Sequence, residues 1–330
     1  QMEVATISPY ITILEGAGPA YPIGTTLKQK IMLGVLVGFL LGLAGAFFLE
    51  YLDQTIKSAN DIERVLGLPV LALVPYDAKL ASANGNGRRS PIVVMSALGA
   101  DEPAAEAYRA LRTNVTFVGA EKALQFMAVT SPGPGEGKST TATNLAAMLA
   151  QGGHRTILID GDLRRPLVHR AFGLVQEPGL TDVLVGAASS REAIRPEVTP
   201  GLDVLPSGPT PPNPSELLGS DAMHQLISEL RRQYDYIVMD TPPVLPVTDA
   251  TVVATLADAT ILAVRSGDTE EVAAQRAVEQ IRRVNGRIAG AVLNAVSPRK
   301  DQYYTYYSYR PDTPTRGPAR SLKTRLTNLL

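Results

Sequence analysis

From about residue 96 to residue 298 the chain alternates short apolar runs with longer amphipathic ones. The apolar runs predict strands at Phe126–Thr130, Thr156–Asp160, Leu202–Pro206, Tyr236–Asp240, Ala259–Arg265 and Ile288–Leu293. The amphipathic runs predict helices at Ala104–Val118, Lys138–Gln151, Pro214–Gln233, Pro246–Leu256 and Glu270–Val284. Nearly unbroken apolar strands between helices imply an α/β domain, a doubly wound, mostly parallel sheet with helices on both faces.

The flanks follow other patterns. Residues 31–49, IMLGVLVGFLLGLAGAFFL, run nineteen positions with no charge or strongly polar group. A helix of that length spans roughly 28 Å, close to a bilayer core. A buried core helix and a signal peptide are the competing readings. Thirty residues precede the run and no small-residue cleavage site follows it, which disfavours a signal peptide. Gly34, Gly38 and Gly42 repeat at a four-residue spacing that suits close packing of helices in lipid. A transmembrane helix is the expectation. Lys28 and Lys30 before it and Lys57 and Arg64 after it leave its orientation open. Residues 1–30 are too short and aperiodic for a domain. Because the chain starts with Gln1, it is expected to be the C-terminal part of a longer protein. Residues 50–95 read as a juxtamembrane segment and linker, with a short helix capped near Ser58–Asn60 and an extended run Val70–Val74. Residues 299–330 lose all periodicity and read as a flexible, disordered tail, with seven Lys/Arg against two Asp.

Composition narrows the chemistry mainly by exclusion. With no cysteine there is neither a disulfide framework nor a thiolate metal site nor a Cys nucleophile. A net charge of −1 gives no reason to expect a nucleic-acid partner.

Residues 126–150 read strand, glycine-rich loop, helix, and the loop contains PGPGEGKST. In such a phosphate cradle backbone N–H groups converge on phosphate oxygens at the positive end of the following helix. The candidate nucleotide contacts are Gly133, Gly135, Glu136, Gly137, Lys138, Ser139 and Thr140. Lys138 would bridge the outer two phosphates of ATP and the Ser139 hydroxyl would ligate Mg2+. Pro132 takes the place of the usual first glycine, so that edge of the loop is built differently.

Two further strands end in acids. TILIDGDLRRP places Asp160, Asp162 and Arg164 at one strand end, and YIVMDTPPV places Asp240 at another. In an open parallel sheet, ligands sit beyond the carboxyl ends of the strands, so these acids are expected at the edge of the cradle. Asp240 is the expected metal acid, with Asp160 and Ser139 completing the candidate metal set. Asp162 or Asp160 could also take a proton from an attacking hydroxyl. A tyrosine, with a pKa of about 10, needs that help at neutral pH. Arg164 could stabilise phosphoryl charge or merely pair with Asp162. Lys138, Asp160, Asp162 and Arg164 form the candidate catalytic set. The tail supplies an acceptor, since five of the twelve tyrosines lie at Tyr303, Tyr304, Tyr306, Tyr307 and Tyr309.

Together GPGEGKST, ILIDGDLRRP, IVMDTPP, the terminal tyrosines and the upstream apolar helix resemble the bacterial tyrosine kinases (BY-kinases) of capsule and exopolysaccharide export. The resemblance implies a P-loop NTPase fold near the MinD/ParA type, ATP and Mg2+ as cofactors, and autophosphorylation of the tail between subunits of a ring. It implies a cell-membrane location with Lys28 and Lys30 outside and the kinase inside. The partners implied are further copies of the chain, the polysaccharide polymerisation and export machinery, a tyrosine phosphatase and membrane lipid. Glu106, Arg109 and Arg112, at helical spacing within EPAAEAYRALRTN, resemble the family's oligomerisation motif; a solvated charged stripe is the competing reading. Asn294 at the end of the last strand is expected, by the same resemblance, to meet the adenine base. Two alternatives remain at this point: a membrane-anchored MinD/ParA-like ATPase switch, and a polysaccharide copolymerase without kinase activity.

Overall fold

A computed structural model describes residues 26–76, 103–121 and 124–297. The chain divides into two units, Gln1–Asp53 and Gln54–Leu330. The tyrosines 303–309 and the tail, residues 1–25 and the linker around residues 77–102 lie outside the described residues.

In the first unit, helix α1 (Leu27–Leu52) extends the expected apolar run at both ends. Its start is fixed by the Thr26 N–H, which donates to Gln29 Oε1 at 2.9 Å. Phe39, Leu41 and Phe47 are each exposed by 66–69%. Leu27–Phe48 is long and apolar enough to cross a membrane.

The second unit is built on an 8-stranded sheet in the order β1-β8-β7-β2-β6-β3-β5-β4 among the described residues. The strands are β1 (Val70–Pro75), β2 (Phe126–Thr130), β3 (Thr156–Asp160), β4 (Arg195–Thr199), β5 (Leu202–Leu205), β6 (Tyr236–Asp240), β7 (Ala259–Arg265) and β8 (Ile288–Val296). Every neighbouring pair is parallel except β4 with β5. The alternation of side chains along β2 shows why its strand is apolar throughout. Met127 and Val129 pack in one layer with Tyr108, Leu111 and Leu145. Phe126 and Ala128 face the opposite layer with Met223, Leu226 and Leu230. Helices α3 (Pro103–Glu121) and α4 (Lys138–Gln151) cover the first face. Helices α9 (Asp221–Gln233), α10 (Asp249–Leu256) and α11 (Glu271–Arg283) cover the other, with α2 (Ala59–Leu66). Short helices α5 (Val168–Ala171), α6 (Leu180–Leu184), α7 (Ser190–Ala193) and α8 (Pro214–Leu218) complete the connections.

The helix expected near Ser58–Asn60 and the extended run expected at Val70–Val74 are present as α2 and β1. They belong to the second unit: β1 is an edge strand paired with β8, and Ile56 and Ile62 are fully buried among residues of α10 and α11. The Ile56 N–H donates to the Thr269 carbonyl (2.9 Å) and the Gly267 N–H to the Ile56 carbonyl (2.8 Å). The sheet edge that receives the extended run lies more than 200 residues further along the chain. Strand β4 was not expected, because RPEVT carries Pro196 and two charges; an antiparallel edge tolerates both. The helix expected over Pro214–Gln233 is two helices, interrupted at Gly219 and restarted by Ser220, whose hydroxyl accepts the Met223 N–H. Helix α10 starts at Asp249 rather than Pro246.

Candidate active site

The three functional strands end side by side. β2 pairs with β6, and β6 with β3, in a register that sets Asp160 opposite Asp240. β2 runs into the phosphate loop, β3 into the Asp160–Arg164 loop and β6 into the Asp240 loop. The two acidic loops approach so closely that the Gly161 N–H donates to the Asp240 carbonyl at 2.8 Å. A Cβ on Gly161 would lie 2.8 Å from that carbonyl oxygen and 2.2 Å from the Met239 methyl. Glycine between the two aspartates is therefore a packing requirement.

The phosphate loop turns through Gly135 (φ 83°) and Gly137 (φ 91°), and the helix begins at Lys138. This places successive backbone N–H groups at the helix's positive end, the arrangement a phosphate chain requires. Lys138 is 9% exposed and its Nζ donates to Asp162 Oδ2 at 2.7 Å and Ser139 Oγ at 3.2 Å. Asp240 Oδ1 stands 3.6 Å from the same nitrogen. Burial alone would lower the Lys138 pKa; Asp240 and Asp162 outweigh it and raise it. Asp162 Oδ1 accepts the Arg165 N–H (3.0 Å), and Asp160 Oδ2 the Val168 N–H (3.0 Å). Lys138, Ser139, Asp160, Asp162 and Asp240 thus share one site, and Thr140 follows them on the first turn of α4.

Burial raises both inner acids. Asp160 is pushed well above the usual carboxylate range by desolvation and by Asp240 beside it. Asp240 is pushed up to about 6 by desolvation, opposed mainly by Lys138. Asp160 Oδ1 and both carboxylate oxygens of Asp240 are buried without a hydrogen-bond donor. Orphaned carboxylate oxygens fit a divalent cation, which would restore their ionised forms. Mg2+ takes one or two carboxylates and fills its shell with water and substrate phosphate. Ser139 and Asp240 could hold it, with Asp160 alongside.

Three expected site residues have partners that the sequence did not suggest. Arg164 pairs with Asp249, not with Asp162: Nε donates to Oδ2 at 2.8 Å and an Nη donates to Oδ1 at 2.9 Å. Asn294 braces the phosphate loop, its amide donating to the Glu136 carbonyl (2.9 Å) and to Thr141 Oγ1 (3.2 Å). Asn294, expected to meet the adenine base, thus also contacts the loop itself. The Glu136 side chain folds back over the loop and its Oε1 accepts the Gly133 N–H at 2.8 Å. Burial pushes the Glu136 pKa up to about 7 against the opposing pull of that N–H. Arg265, at the end of β7, donates to the Gly135 carbonyl (3.2 Å). Asp249 and Arg265 were not legible in the sequence, since an acid opening a helix reads as a cap and an arginine ending a strand as a surface residue.

The candidate oligomerisation residues share α3 but not one environment. Arg109 pairs with Glu106 on the exposed side. Arg112 turns inward, donating to the Met148 carbonyl near the end of α4 (3.2 Å).

Residues 125–292 match the family model described as an AAA domain. The tyrosine-protein kinase YwqD of Bacillus subtilis (strain 168) is 44% identical over 202 residues, which are 61% of this chain and 85% of that protein. The tyrosine-protein kinase Etk of Escherichia coli (strain K12) is 33% identical over 303 residues, 87% of this chain but only 42% of Etk. The solved kinase domain of Escherichia coli ETK superposes with a TM-score of 0.69 at 32% identity, covering 74% of this chain and 97% of that one. The BceF tyrosine kinase domain gives 0.68 at 35% identity, covering 74% of this chain and all of its own. Identity at this level, extending over most of a complete kinase and matched by the fold, places the chain in the bacterial tyrosine kinase family.

Proposed function

We propose that this chain is an ATP-dependent protein-tyrosine autokinase whose acceptors are Tyr303, Tyr304, Tyr306, Tyr307 and Tyr309, phosphorylated between subunits. The observation that carries the reading is the gathering of Asp160, Asp162 and Asp240 around Lys138 at the mouth of a phosphate loop. A nucleotide switch needs one metal acid there. A kinase also needs a carboxylate to receive the hydroxyl proton, and the loop after β3 supplies it in Asp162. In the step itself the tyrosine O–H gives its proton to that carboxylate and its oxygen bonds to the γ-phosphorus of ATP. The bond from the γ-phosphorus to its bridging oxygen breaks, and ADP leaves with the electron pair. Lys138 holds the outer phosphates and Arg164 stands at the rim, where charge spreads in the transition state. A bound Mg2+ would neutralise phosphate charge.

The apolar helix Leu27–Phe48 supports anchoring in the cell membrane, with the kinase unit on the cytoplasmic side where ATP is available. The exposed Glu106–Arg109 pair on α3 supports self-association into a ring. The resemblance to capsule and exopolysaccharide kinases adds polysaccharide polymerisation and export machinery as the process regulated, a tyrosine phosphatase as the opposing activity and membrane lipid as surroundings. The test is incubation of the full chain with Mg·ATP, followed by mapping of phosphotyrosine. Phosphotyrosine within 303–309 that disappears in Lys138→Ala is expected. Phosphate release with no phosphotyrosine would replace this reading with that of an ATPase switch.

A further inference from the structure

We propose that Asp249 is a positioning residue for phosphoryl transfer: it holds Arg164, and with it the segment bearing Asp162, in place from outside the nucleotide site. The inference rests on the kinase reading and adds a residue to it.

Asp249 is the first residue of α10 and its side chain is fully buried. Both of its oxygens are committed. Arg164 forms a fork on them, with Nε to Oδ2 at 2.8 Å and one Nη to Oδ1 at 2.9 Å. The Ser215 hydroxyl, from α8, also donates to Oδ1 and accepts from Thr248 Oγ1 at 3.1 Å. Two parallel N–H···O bonds fix the plane of a guanidinium as well as its position, which a single contact would not. The Arg164 side chain is 40% exposed, so without the fork its stem would be free to turn. The fork uses Nε and one terminal nitrogen.

The connectivity gives the clamp its consequence. The loop after β3 is tied at two points, to the last residue of β6 and to the chain that follows it. At the near end the Gly161 N–H donates to the Asp240 carbonyl (2.8 Å). At the far end Arg164 reaches Asp249. Asp162 lies between the two ties, and there its Oδ2 meets Lys138 Nζ at 2.7 Å while its Oδ1 accepts the Arg165 N–H at 3.0 Å. Removing the far tie frees one side of the segment that carries the proton acceptor. A purely structural ion pair would act on stability alone; this one acts on the geometry of Asp162 and Arg164, hence on turnover.

The test compares Asp249→Asn, Arg164→Ala, the double variant and Ser215→Ala in the full chain. The measurements are kcat and KM for ATP in tail phosphorylation, ATP dissociation constants and melting temperatures. Asp249→Asn is expected to lower kcat at least tenfold with KM and ATP affinity within threefold of wild type. Adding Arg164→Ala to it should cost less than a further threefold, since both break one device. Ser215→Ala, which removes one bond to the same carboxylate, should lower kcat severalfold without lowering the melting temperature. Wild-type kcat in Asp249→Asn, or losses that multiply in the double variant, would overturn the proposal. If Asp249→Asn does not fold, Ser215→Ala decides: unchanged kcat there overturns it. If the wild type itself forms no phosphotyrosine, the kinase reading fails separately, and the same comparison is read on ATP hydrolysis.

Discussion

Lys138 and Asp162 form a buried ion pair, with Nζ 2.7 Å from Oδ2 and the two side chains 11% and 5% exposed. The lysine proposed to hold the phosphates of ATP is thus aligned by the acid proposed to receive the tyrosine proton. The two groups differ in what their removal does to nucleotide binding. Lys138→Ala should abolish ATP-dependent phosphotyrosine and weaken nucleotide binding. Asp162→Asn should retain nucleotide binding yet lower turnover by about 10²–10⁴-fold, the usual range for loss of general-base help. Equilibrium binding of a fluorescent ATP analogue beside initial rates of phosphorylation separates the two. Equal loss of binding in both variants would remove Asp162 from the proton transfer.

Asn294 offers a test of recognition. If its role is to brace the loop through the Glu136 carbonyl and Thr141 Oγ1, Asn294→Ala should weaken ATP and GTP alike. The loss should be about 1–3 kcal/mol, because a buried carbonyl loses its donor. A selective loss of ATP over GTP, measured by competition binding, would return Asn294 to reading the adenine base.

Glu136 gives the protein a pH dependence of known sign. Its carboxyl is raised from 4.5 to about 7 by burial, so the folded state binds the proton more tightly than the unfolded chain. Its contribution to stability is fully present below the unfolded value and is lost as pH rises through about 7. Glu136→Gln stays neutral and should keep the acceptor for the Gly133 N–H. Relative to this variant, the wild type should lose about 2–3 kcal/mol between roughly pH 5 and pH 7 in denaturant titrations. Parallel stability curves for the two proteins would show that Glu136 does not carry the effect.

Gly161→Ala should destabilise the kinase unit by about 1–3 kcal/mol. The Met239 methyl at 2.2 Å can swing away from an added Cβ, but the Asp240 carbonyl at 2.8 Å belongs to the sheet. The strain falls on the turn between Asp160 and Asp162, so phosphorylation should drop along with melting temperature. An unchanged melting temperature would mean that the loop relaxes without cost.

Arg112 and Glu106 should separate in their effects despite their shared helix. Arg112→Ala removes one of two donors to the Met148 carbonyl, which keeps the Gly152 N–H (3.1 Å), and should cost about 0.5–1.5 kcal/mol in thermal unfolding. Glu106 is 62% exposed, so Glu106→Ala should leave unfolding within about 0.5 kcal/mol and act on association alone. Sedimentation of both variants beside the wild type measures that second effect; a wild-type distribution for Glu106→Ala would remove it from the interface.

The sequence by itself determined the elements and the chemistry that ride on local pattern. Strand β2, the phosphate loop and α4 lie where the apolar run, the glycines and Lys138 place them. Asp160 and Asp240 fall at strand ends because an apolar strand that stops in an acid announces both facts at once. The middle of the helix Leu27–Leu52, residues 31–49, follows from its unbroken apolar composition alone. Tertiary structure decided everything that depends on residues far apart in the chain. Residues 54–76 join the kinase unit because β8 offers an edge to β1, and no local feature of VLALVP reveals that partner. The charged, proline-containing β4 is a strand only because it lies at the sheet's other end. Arg164 meets Asp249, and Asn294 meets the phosphate loop, across separations of 85 and up to 158 residues. Periodicity reports which face of an element is buried, and composition reports which groups can react. Which buried groups face each other is fixed by sheet order and register, and these arise only when the whole chain closes its core.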